Sequence, residues 1–456
     1  MTADPLAGKR VGVIGFARQG KALARWLPST GAQVIVADSK TAEALKLNLA
    51  DYPGVEFRLG GDVTGFLDGM DLLCLSGGVP LDLPLVQAAV AHGIPLSNDA
   101  QLFLERCPAP VIGITGSAGK TTTTTLVGLM VKQGGWTTWV GGNIGDVLLD
   151  VLDQIRPEHR VVMELSSFQL EIMTVSPPIA AITNITPNHL DRHGTMDVYT
   201  RAKAQILLHQ SVNDVAVLNR DDPGATSLAD AVGGDLAWFS AGGLVADGAF
   251  LAGQRMIVTG VSSPDGDAHV VAERADIQIR GAHNVQNVLA ACAIAGAVGI
   301  PPEAMRATIR DFRGVPHRLE NVRTVDDVLY VNDSIATAPE RVVAALHSYD
   351  EPLVLLAGGR DKKLDWEPMI ALALQKARHI IAFGEAGEIV VNTVRKAAAD
   401  TDRLTRVTTL EEAVATARRV AQPGDVVLLS PGGTSYDAYV DFAARGEHFR
   451  QLVQRL

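Results

Sequence analysis

The stretch VIGITGSAGKTTTTT, residues 111–125, passes from an apolar run into a glycine turn and then into Lys120 followed by five threonines. It reads as strand, turn and helix start, with TTTTTLVGLMVKQ continuing as a helix despite its β-branched opening. Backbone N–H groups at such a helix start point at an anion, which fits a phosphate chain. Gly116, Ser117, Ala118 and Gly119 would wrap that chain, Lys120 would reach the terminal phosphates, and the Thr121 hydroxyl would ligate magnesium. Thr122 belongs to the same nucleotide-binding turn, although the side chains of residues 122–125 are expected to pack or to bond back to the preceding turn. The spacing departs from the strict G-x-x-x-x-G-K-[ST] form, because Ile114 holds the first glycine position and Gly113 lies one residue earlier. Glycine turns between strand and helix are common without ligands. A Lys-Thr pair at the helix start has no packing reason, so nucleotide binding is the favoured reading.

Around this motif the chain is too long, at 456 residues, for one ordinary core, since single cores stop growing near about 250–300 residues. Two or three domains are expected. The 47% hydrophobic and 20% charged composition is that of a soluble globular protein. A formal charge of -11, from 40 basic against 51 acidic residues, disfavours nucleic acid as a partner. Cys74, Cys107 and Cys292 are far apart and show no CxxC spacing, which argues against a disulfide scaffold or a zinc site and fits a reducing cytoplasm. The N-terminus lacks a signal-peptide pattern, and no stretch of about 20 residues stays apolar enough for membrane insertion.

Short β-rich runs alternate with helical patterns throughout, which predicts an α/β protein with parallel sheets covered on both faces. VGVIGFARQG (11–20) and QVIVAD (33–38) read as half of a Rossmann-like unit, continued by LLCLSGG (72–78) and IPLSND (94–99). Pro108 and Pro110 then punctuate the chain, placing the first boundary near residue 104. The middle segment runs through RVVMELSS (160–167), AAITNIT (180–186) and DVAVLN (214–219) to the helical HNVQNVLAACAIAGAVG (283–299), and a second boundary falls near residue 314. PLVLLAGG, HIIAFGE and VVLLSPGG in the last part are apolar runs passing into glycine, so this domain also faces a ligand. The expected domains are 1–104, 105–314 and 315–456.

Gly15 and Gly20 bracket a turn that carries Ala17 where a dinucleotide fingerprint needs its second glycine, so the evidence for NAD is weak. A phosphate-bearing ligand fits better, with Arg18 or Lys40 as counter-charge. Glu164 ends the run MELSSFQLE (163–171) where an acid can reach a magnesium ion on the phosphates, while Glu171 is expected to be solvated. NITPNHLDRHG gathers Asn188, His189, Asp191, Arg192 and His193 at one strand end, a density of polar groups that marks a site. His193 is expected to be a hydrogen-bonded structural histidine.

TGSAGKT, ELSSFQLE, NITPNHLDRH, YTRAK, GAHNVQNVLAA, PHRLE, NDSIAT and SPGGTSYDAYVDF together, in this order across nearly the whole chain, resemble the Mur ligases of bacterial cell-wall synthesis. The DNPR block of the later diaminopimelate- or lysine-adding members is absent from the sequence. The resemblance implies three domains: an N-terminal one for a UDP-sugar, a central P-loop ATPase, and a C-terminal Rossmann-like domain for the incoming amino acid. It also implies an ATP-dependent ligation of glutamate, most closely D-glutamate, to UDP-N-acetylmuramoyl-L-alanine. The substrate carboxylate attacks the ATP γ-phosphate, and an amine then attacks the acyl phosphate.

Two magnesium sites follow from the resemblance, one at Thr121 and Glu164 and a second at His189 and Lys203, the lysine being carbamylated. Spacing alone makes Lys203 an ordinary solvated helix lysine. The resemblance further places Asn284 and Asn287, three apart on one helix face, in the ATP site, with Arg318 at the phosphates and Asp333 on the ribose. Asn143 and Ser166 fall beside the reacting end of the UDP-sugar substrate. Arg18 and Gln19 fall on its diphosphate turn, and Asp38, Ser39 and Lys40 on the uracil side. Thr337, Lys362, Ser435 and Phe442 match the positions used for the glutamate carboxylates. Sites spread over separate domains imply that the C-terminal domain rotates to close on ATP.

Family members often read NDSKAT where this chain reads NDSIAT, so Ile335 replaces a lysine, and GGRDKKLDW differs from the commoner GGDGK while keeping Lys362. These departures leave D- and L-glutamate both open. A related ligase for another amino acid is the runner-up, with a P-loop regulatory NTPase and a dinucleotide dehydrogenase as readings from other classes. A monomer acting on small molecules is expected.

Overall fold

The computed structural model describes residues 4–61, 63–145, 147–398 and 402–456. The first sheet has five parallel strands, β1 (Arg10–Ile14), β2 (Gln33–Asp38), β3 (Val55–Leu59), β4 (Leu72–Leu75) and β5 (Leu96–Ser97), in the order β3-β2-β1-β4-β5. The order reverses beside β1, which opens a crevice at the carboxyl ends of β1 and β4. The turn from Gly15 into the helix Arg18–Trp26 lies there. Gly20 lets helix and turn approach: a Cβ at that position would stand 1.8 Å from the Gly15 carbonyl oxygen.

The second sheet contains β6 (Val111–Thr115), β7 (Thr138–Gly142), β8 (Arg160–Glu164), β9 (Ile179–Ile182), β10 (Val215–Asn219), β11 (Asp235–Ser240), β12 (Gly248–Ala252), β13 (Arg255–Thr259) and β14 (His269–Glu273). Its order is β14-β13-β12-β11-β10-β9-β6-β8-β7, parallel from β7 to β12 and antiparallel at the β13 and β14 edge. Every residue of β6 is buried, as a parallel strand covered on both faces must be. Each fully buried Val or Ile there contributes roughly 1.5–3 kcal/mol. A rigid central strand therefore delivers the glycine turn at 116–119.

The third sheet contains β15 (Glu320–Val325), β16 (Val328–Asn332), β17 (Leu353–Gly358), β18 (Ala377–Phe383), β19 (Leu404–Arg406) and β20 (Val426–Gly432). Its order is β15-β16-β20-β17-β18-β19, with β15 alone antiparallel to its neighbour.

The chain forms a three-domain α/β fold with one sheet per domain. By compactness, residues 1–277 and 282–311 make one unit, and residues 278–281 and 312–456 make another. In the first unit a continuous apolar cluster joins Val11, Leu23 and Val36, through Phe103 and Leu148, to Val161, Ile182 and Leu218. This packing runs past the helix Asp99–Leu104 from the first sheet into the second. Among the described residues, no helix is long and apolar enough to cross a membrane.

Candidate active site

The turn after β6 is shaped by two glycines that no other residue could replace without strain. Gly116 has φ 151°, and a Cβ there would meet Thr183 Oγ1 at 1.9 Å. Gly119 has φ 82°, and a Cβ there would meet Asn287 Oδ1 at 2.2 Å. The loop backbone is pinned from the strand end after β9: Ala118 N donates to Asn184 Oδ1 at 2.9 Å, and the Thr183 hydroxyl donates to the Ala118 carbonyl at 2.6 Å. Ser117 Oγ donates to the Thr186 carbonyl, accepts from Thr186 N, and contacts the Tyr199 hydroxyl, each at 2.9 Å. The helix Lys120–Gln133 follows at once, directing its N-terminal N–H groups into the turn. Thr123 and Thr124 are fully buried without hydrogen-bond partners for their hydroxyls, and Thr125 bonds back to the Thr121 carbonyl at 2.8 Å.

Thr121 Oγ1 donates to Glu164 Oε2 at 2.9 Å, and Asn143 Nδ2 holds Glu164 Oε1 at 2.8 Å. Glu164 ends β8 and is 1% exposed, so its direction is fixed by two polar partners rather than by solvent. Among the described residues no group of three or more His, Cys, Asp and Glu side chains is arranged to hold a metal. A hydroxyl beside a carboxylate fits Mg2+ as part of a set completed by phosphate oxygens and water, since this ion takes few protein ligands.

Lys203 overturns the solvated-lysine expectation that spacing alone gave. It lies inward on the helix Met196–Leu208, 1% exposed, and Nζ donates to the Gly116 carbonyl at 2.9 Å and to Thr115 Oγ1 at 3.3 Å. Burial drives its ammonium well below the usual lysine range; the charge of Lys120 adds to this, and Glu164 opposes it. Lys120 Nζ itself donates to the Gly116 carbonyl at 2.7 Å and to the Ser117 carbonyl at 3.3 Å.

His189 starts the helix Leu190–His193 in the left-handed conformation, with φ 53°. Its ring meets the edge of Phe168, centroids 5.2 Å apart, while His193 stacks on Phe168 at 5.1 Å and the Arg192 guanidinium lies 5.0 Å from the same ring. His193 is buried, with Nε2 3.0 Å from Ser167 Oγ. Glu171, expected in solvent, is instead largely covered: its carboxylate sits 3.5 Å from His193 Nδ1, and burial pushes it up to about 7 against the pull of Arg192. The Asp191 side chain lies outside the described residues.

At the first sheet, Arg18 donates to the carbonyls of Gly142, Asn143 and Gly145, and Gln19 Oε1 accepts from Gly77 N at 3.3 Å. Both Asp38 oxygens are taken by the backbone, from Phe16 N at 2.7 Å and Lys40 N at 2.9 Å, while Ser39 and Lys40 are exposed. Ser166 caps the helix Ser167–Leu170 in a capping box with Gln169. Asn284 and Asn287 are brought together on their helix, Asn287 Nδ2 donating to Asn284 Oδ1 at 2.9 Å.

In the second unit, Asp333 follows β16, accepts from Ser430 Oγ at 2.8 Å and from Leu319 N at 3.2 Å, and is pushed up to about 7 by burial, with Arg318 among the charges opposing that rise. Lys362 Nζ donates to Thr337 Oγ1 at 3.3 Å. Ser435 is buried, and the Phe442 carbonyl accepts from Ser334 Oγ at 2.7 Å. Sequence reasoning missed Arg445, a fully buried guanidinium that donates to Ser334 Oγ and to the carbonyls of Ser334, Gly433 and Thr434. It ties Ser334, beside Asp333, to the segment before Ser435. Asn184 and Tyr199 were missed too, though the asparagine inside AAITNIT was a visible signal.

The family model of the Mur ligase MurD-like N-terminal domain matches residues 9–98, that of the Mur ligase middle domain residues 114–295, and that of the Mur ligase glutamate ligase domain residues 317–433. A UDP-N-acetylmuramoylalanine--D-glutamate ligase of Pelotomaculum thermopropionicum is 40% identical over 451 residues, covering 98% of each chain. The protein of that name from Symbiobacterium thermophilum is 41% identical over 456 residues, again 98% of each. Among solved structures, the UDP-N-acetylmuramate-alanine ligase of Thermotoga maritima shares the fold with TM-score 0.56 at 19% identity, over 98% of this chain and 99% of that one. A D-alanyl-D-alanyl-adding ligase of Acinetobacter baumannii gives 0.54 at 21% identity, over 92% and 90%. The chain belongs to the Mur ligase family. It is an ATP-dependent, ADP-forming amide ligase.

Proposed function

We propose that this ligase joins D-glutamate to UDP-N-acetylmuramoyl-L-alanine in the synthesis of the peptidoglycan precursor. The observation that carries the reading is the convergence of Lys120, Thr121, Glu164 and Lys203 on one glycine turn, in a chain whose relatives of that name match it from end to end. The alanine carboxylate attacks the γ-phosphorus, the bond to ADP breaks, and an acyl phosphate remains. The deprotonated glutamate amine then attacks the acyl carbon, a C–N bond forms, and phosphate leaves.

Lys120 neutralises charge that builds on the phosphoryl oxygens, and the backbone N–H groups of residues 116–119 hold the chain in line. Magnesium, when bound, draws charge from the same oxygens. Thr121 and Glu164 would hold one such ion, and His189 with a carbamate on Lys203 a second. The burial of Lys203, with the charge of Lys120 beside it, supports this: a neutral amine adds carbon dioxide through its lone pair and releases one proton. Asn284 and Asn287 line the ATP site, Arg318 contacts phosphate and Asp333 the ribose. The UDP end takes Gln19, Asp38, Ser39 and Lys40 together with the backbone N–H of Arg18, and its reacting end takes Asn143 and Ser166. Glutamate is bound by Thr337, Lys362, Ser435 and Phe442. The domains run over 1–104, 105–314 and 315–456, and the enzyme works as a cytoplasmic monomer.

Phosphate release from ATP with UDP-N-acetylmuramoyl-L-alanine, comparing D-glutamate, L-glutamate and no amino acid, tests the reading. Release with D-glutamate alone is expected. Release with L-glutamate alone would keep the chemistry and reassign the pocket, and silence with both would overturn the function.

A further inference from the structure

The first helix begins at Arg18, and this residue presents two different groups in two directions. Its backbone N–H belongs to the unsatisfied first turn, which has no side-chain cap, while its guanidinium crosses to the loop after β7. There Nη1 donates to the Gly145 carbonyl at 2.5 Å, and Nη2 donates to the carbonyls of Gly142 at 3.1 Å and Asn143 at 3.0 Å. Gly142 and Gly145 both have positive φ, 99° and 60°, and this backbone turns three carbonyls toward one point. A planar fork with several donors meets such a set, whereas a lysine could not match its geometry.

The loop leads directly to the catalytic carboxylate. Asn143 N donates to the Glu164 carbonyl at 2.8 Å, Asn143 Nδ2 holds Glu164 Oε1 at 2.8 Å, and Glu164 Oε2 receives the Thr121 hydroxyl at 2.9 Å. Gly142 packs so closely that a Cβ there would lie 2.4 Å from the Glu164 carbonyl oxygen. At its other end the same helix grips the same segment: Arg25 makes a two-oxygen ion pair with Asp150, at 2.9 and 2.7 Å from Nη2. The buried carboxylate of Asp99 also feels the Arg18 charge.

We propose that Arg18 is a positioning residue which couples the UDP-sugar turn to the magnesium-nucleotide site, by fixing Asn143 and, through it, the carboxylate of Glu164. This rests on the ligase reading and assigns the Arg18 side chain to the loop rather than to the substrate diphosphate. Contacts at the N–H groups of the turn are then felt at Thr121 through a continuous chain of hydrogen bonds.

Calorimetric titrations of the full-length protein with ADP and magnesium, and separately with UDP, test it in wild type, Arg18→Gln, Asn143→Ala and the double variant. Arg18→Gln is expected to weaken magnesium-dependent ADP binding roughly five- to tenfold and UDP binding less than twofold, with no further loss in the Asn143→Ala background. Arg25→Gln, which cuts an ion pair on the same helix, serves as the folding control and should leave ADP affinity unchanged. Fully additive effects of Arg18→Gln and Asn143→Ala, or loss of UDP binding with ADP binding intact, would overturn the coupling alone. A wild-type protein that binds no magnesium-ADP would overturn the ligase reading and the coupling together.

Discussion

Lys120 and Lys203 donate to the same carbonyl oxygen, that of Gly116, at 2.7 and 2.9 Å. Two ammonium groups on one buried acceptor repel each other, and the more buried of them gives up charge most readily. Lys203 is that group, lowered first by burial and then by the charge of Lys120, and a largely neutral amine there is what the proposed carbamylation requires. Lys203→Ala should lower turnover at least about a hundredfold, the loss expected when several kcal/mol of charge stabilisation disappear. Short carboxylates should restore part of it. Labelled bicarbonate should give a carbamate carbon signal in the wild type and none in Lys203→Arg; full activity in Lys203→Ala would remove the lysine from the site.

Glu164 is held from both sides, by Asn143 and Thr121. Glu164→Gln keeps the shape and removes the charge, so the magnesium concentration for half-maximal phosphate release should rise by about tenfold, as for loss of one charge-assisted contact. An unmoved magnesium titration would take this carboxylate out of the metal shell.

Lys362 Nζ donates to Thr337 Oγ1 at 3.3 Å, joining two of the residues proposed to bind glutamate. Lys362→Ala should raise KM for glutamate between about tenfold and a hundredfold, the range of a hydrogen bond to a charged group. KM for ATP should stay the same. A matching rise in both constants would mean that the lysine holds the domain together rather than the amino acid.

Asp99 is fully buried at the start of the helix Asp99–Leu104, one of its oxygens lacks a partner, and burial pushes its carboxyl from 3.8 up to about 6. The folded state therefore binds this proton more tightly than the unfolded chain, and stability falls as pH rises between those two values. The gap corresponds to about 3 kcal/mol at most. Asp99→Asn should melt higher at pH 7.5 and lose that part of the decline. Equal melting temperatures at pH 7.5 would show that the carboxylate is compensated elsewhere.

Sequence by itself determined the strands and the nucleotide turn. VIGIT, QVIVAD and DVAVLN are apolar runs that only a covered parallel sheet can use, and they form β6, β2 and all of β10. Gly116 and Gly119 marked the loop because only glycine adopts its backbone there. The edge strands β14 and β15 were not legible, since both are short and partly exposed and leave a weak pattern.

Only the tertiary structure decided what the polar residues do. Lys203 and Glu171 look like solvated side chains in a linear reading, but one is buried under the glycine turn and the other against His193. Asp38 spends both oxygens on its own backbone, and Arg18 reaches a loop more than a hundred residues away. The reason is physical: burial and charge pairing depend on neighbours that are distant in sequence, while hydrophobic period and backbone handedness are local and written residue by residue.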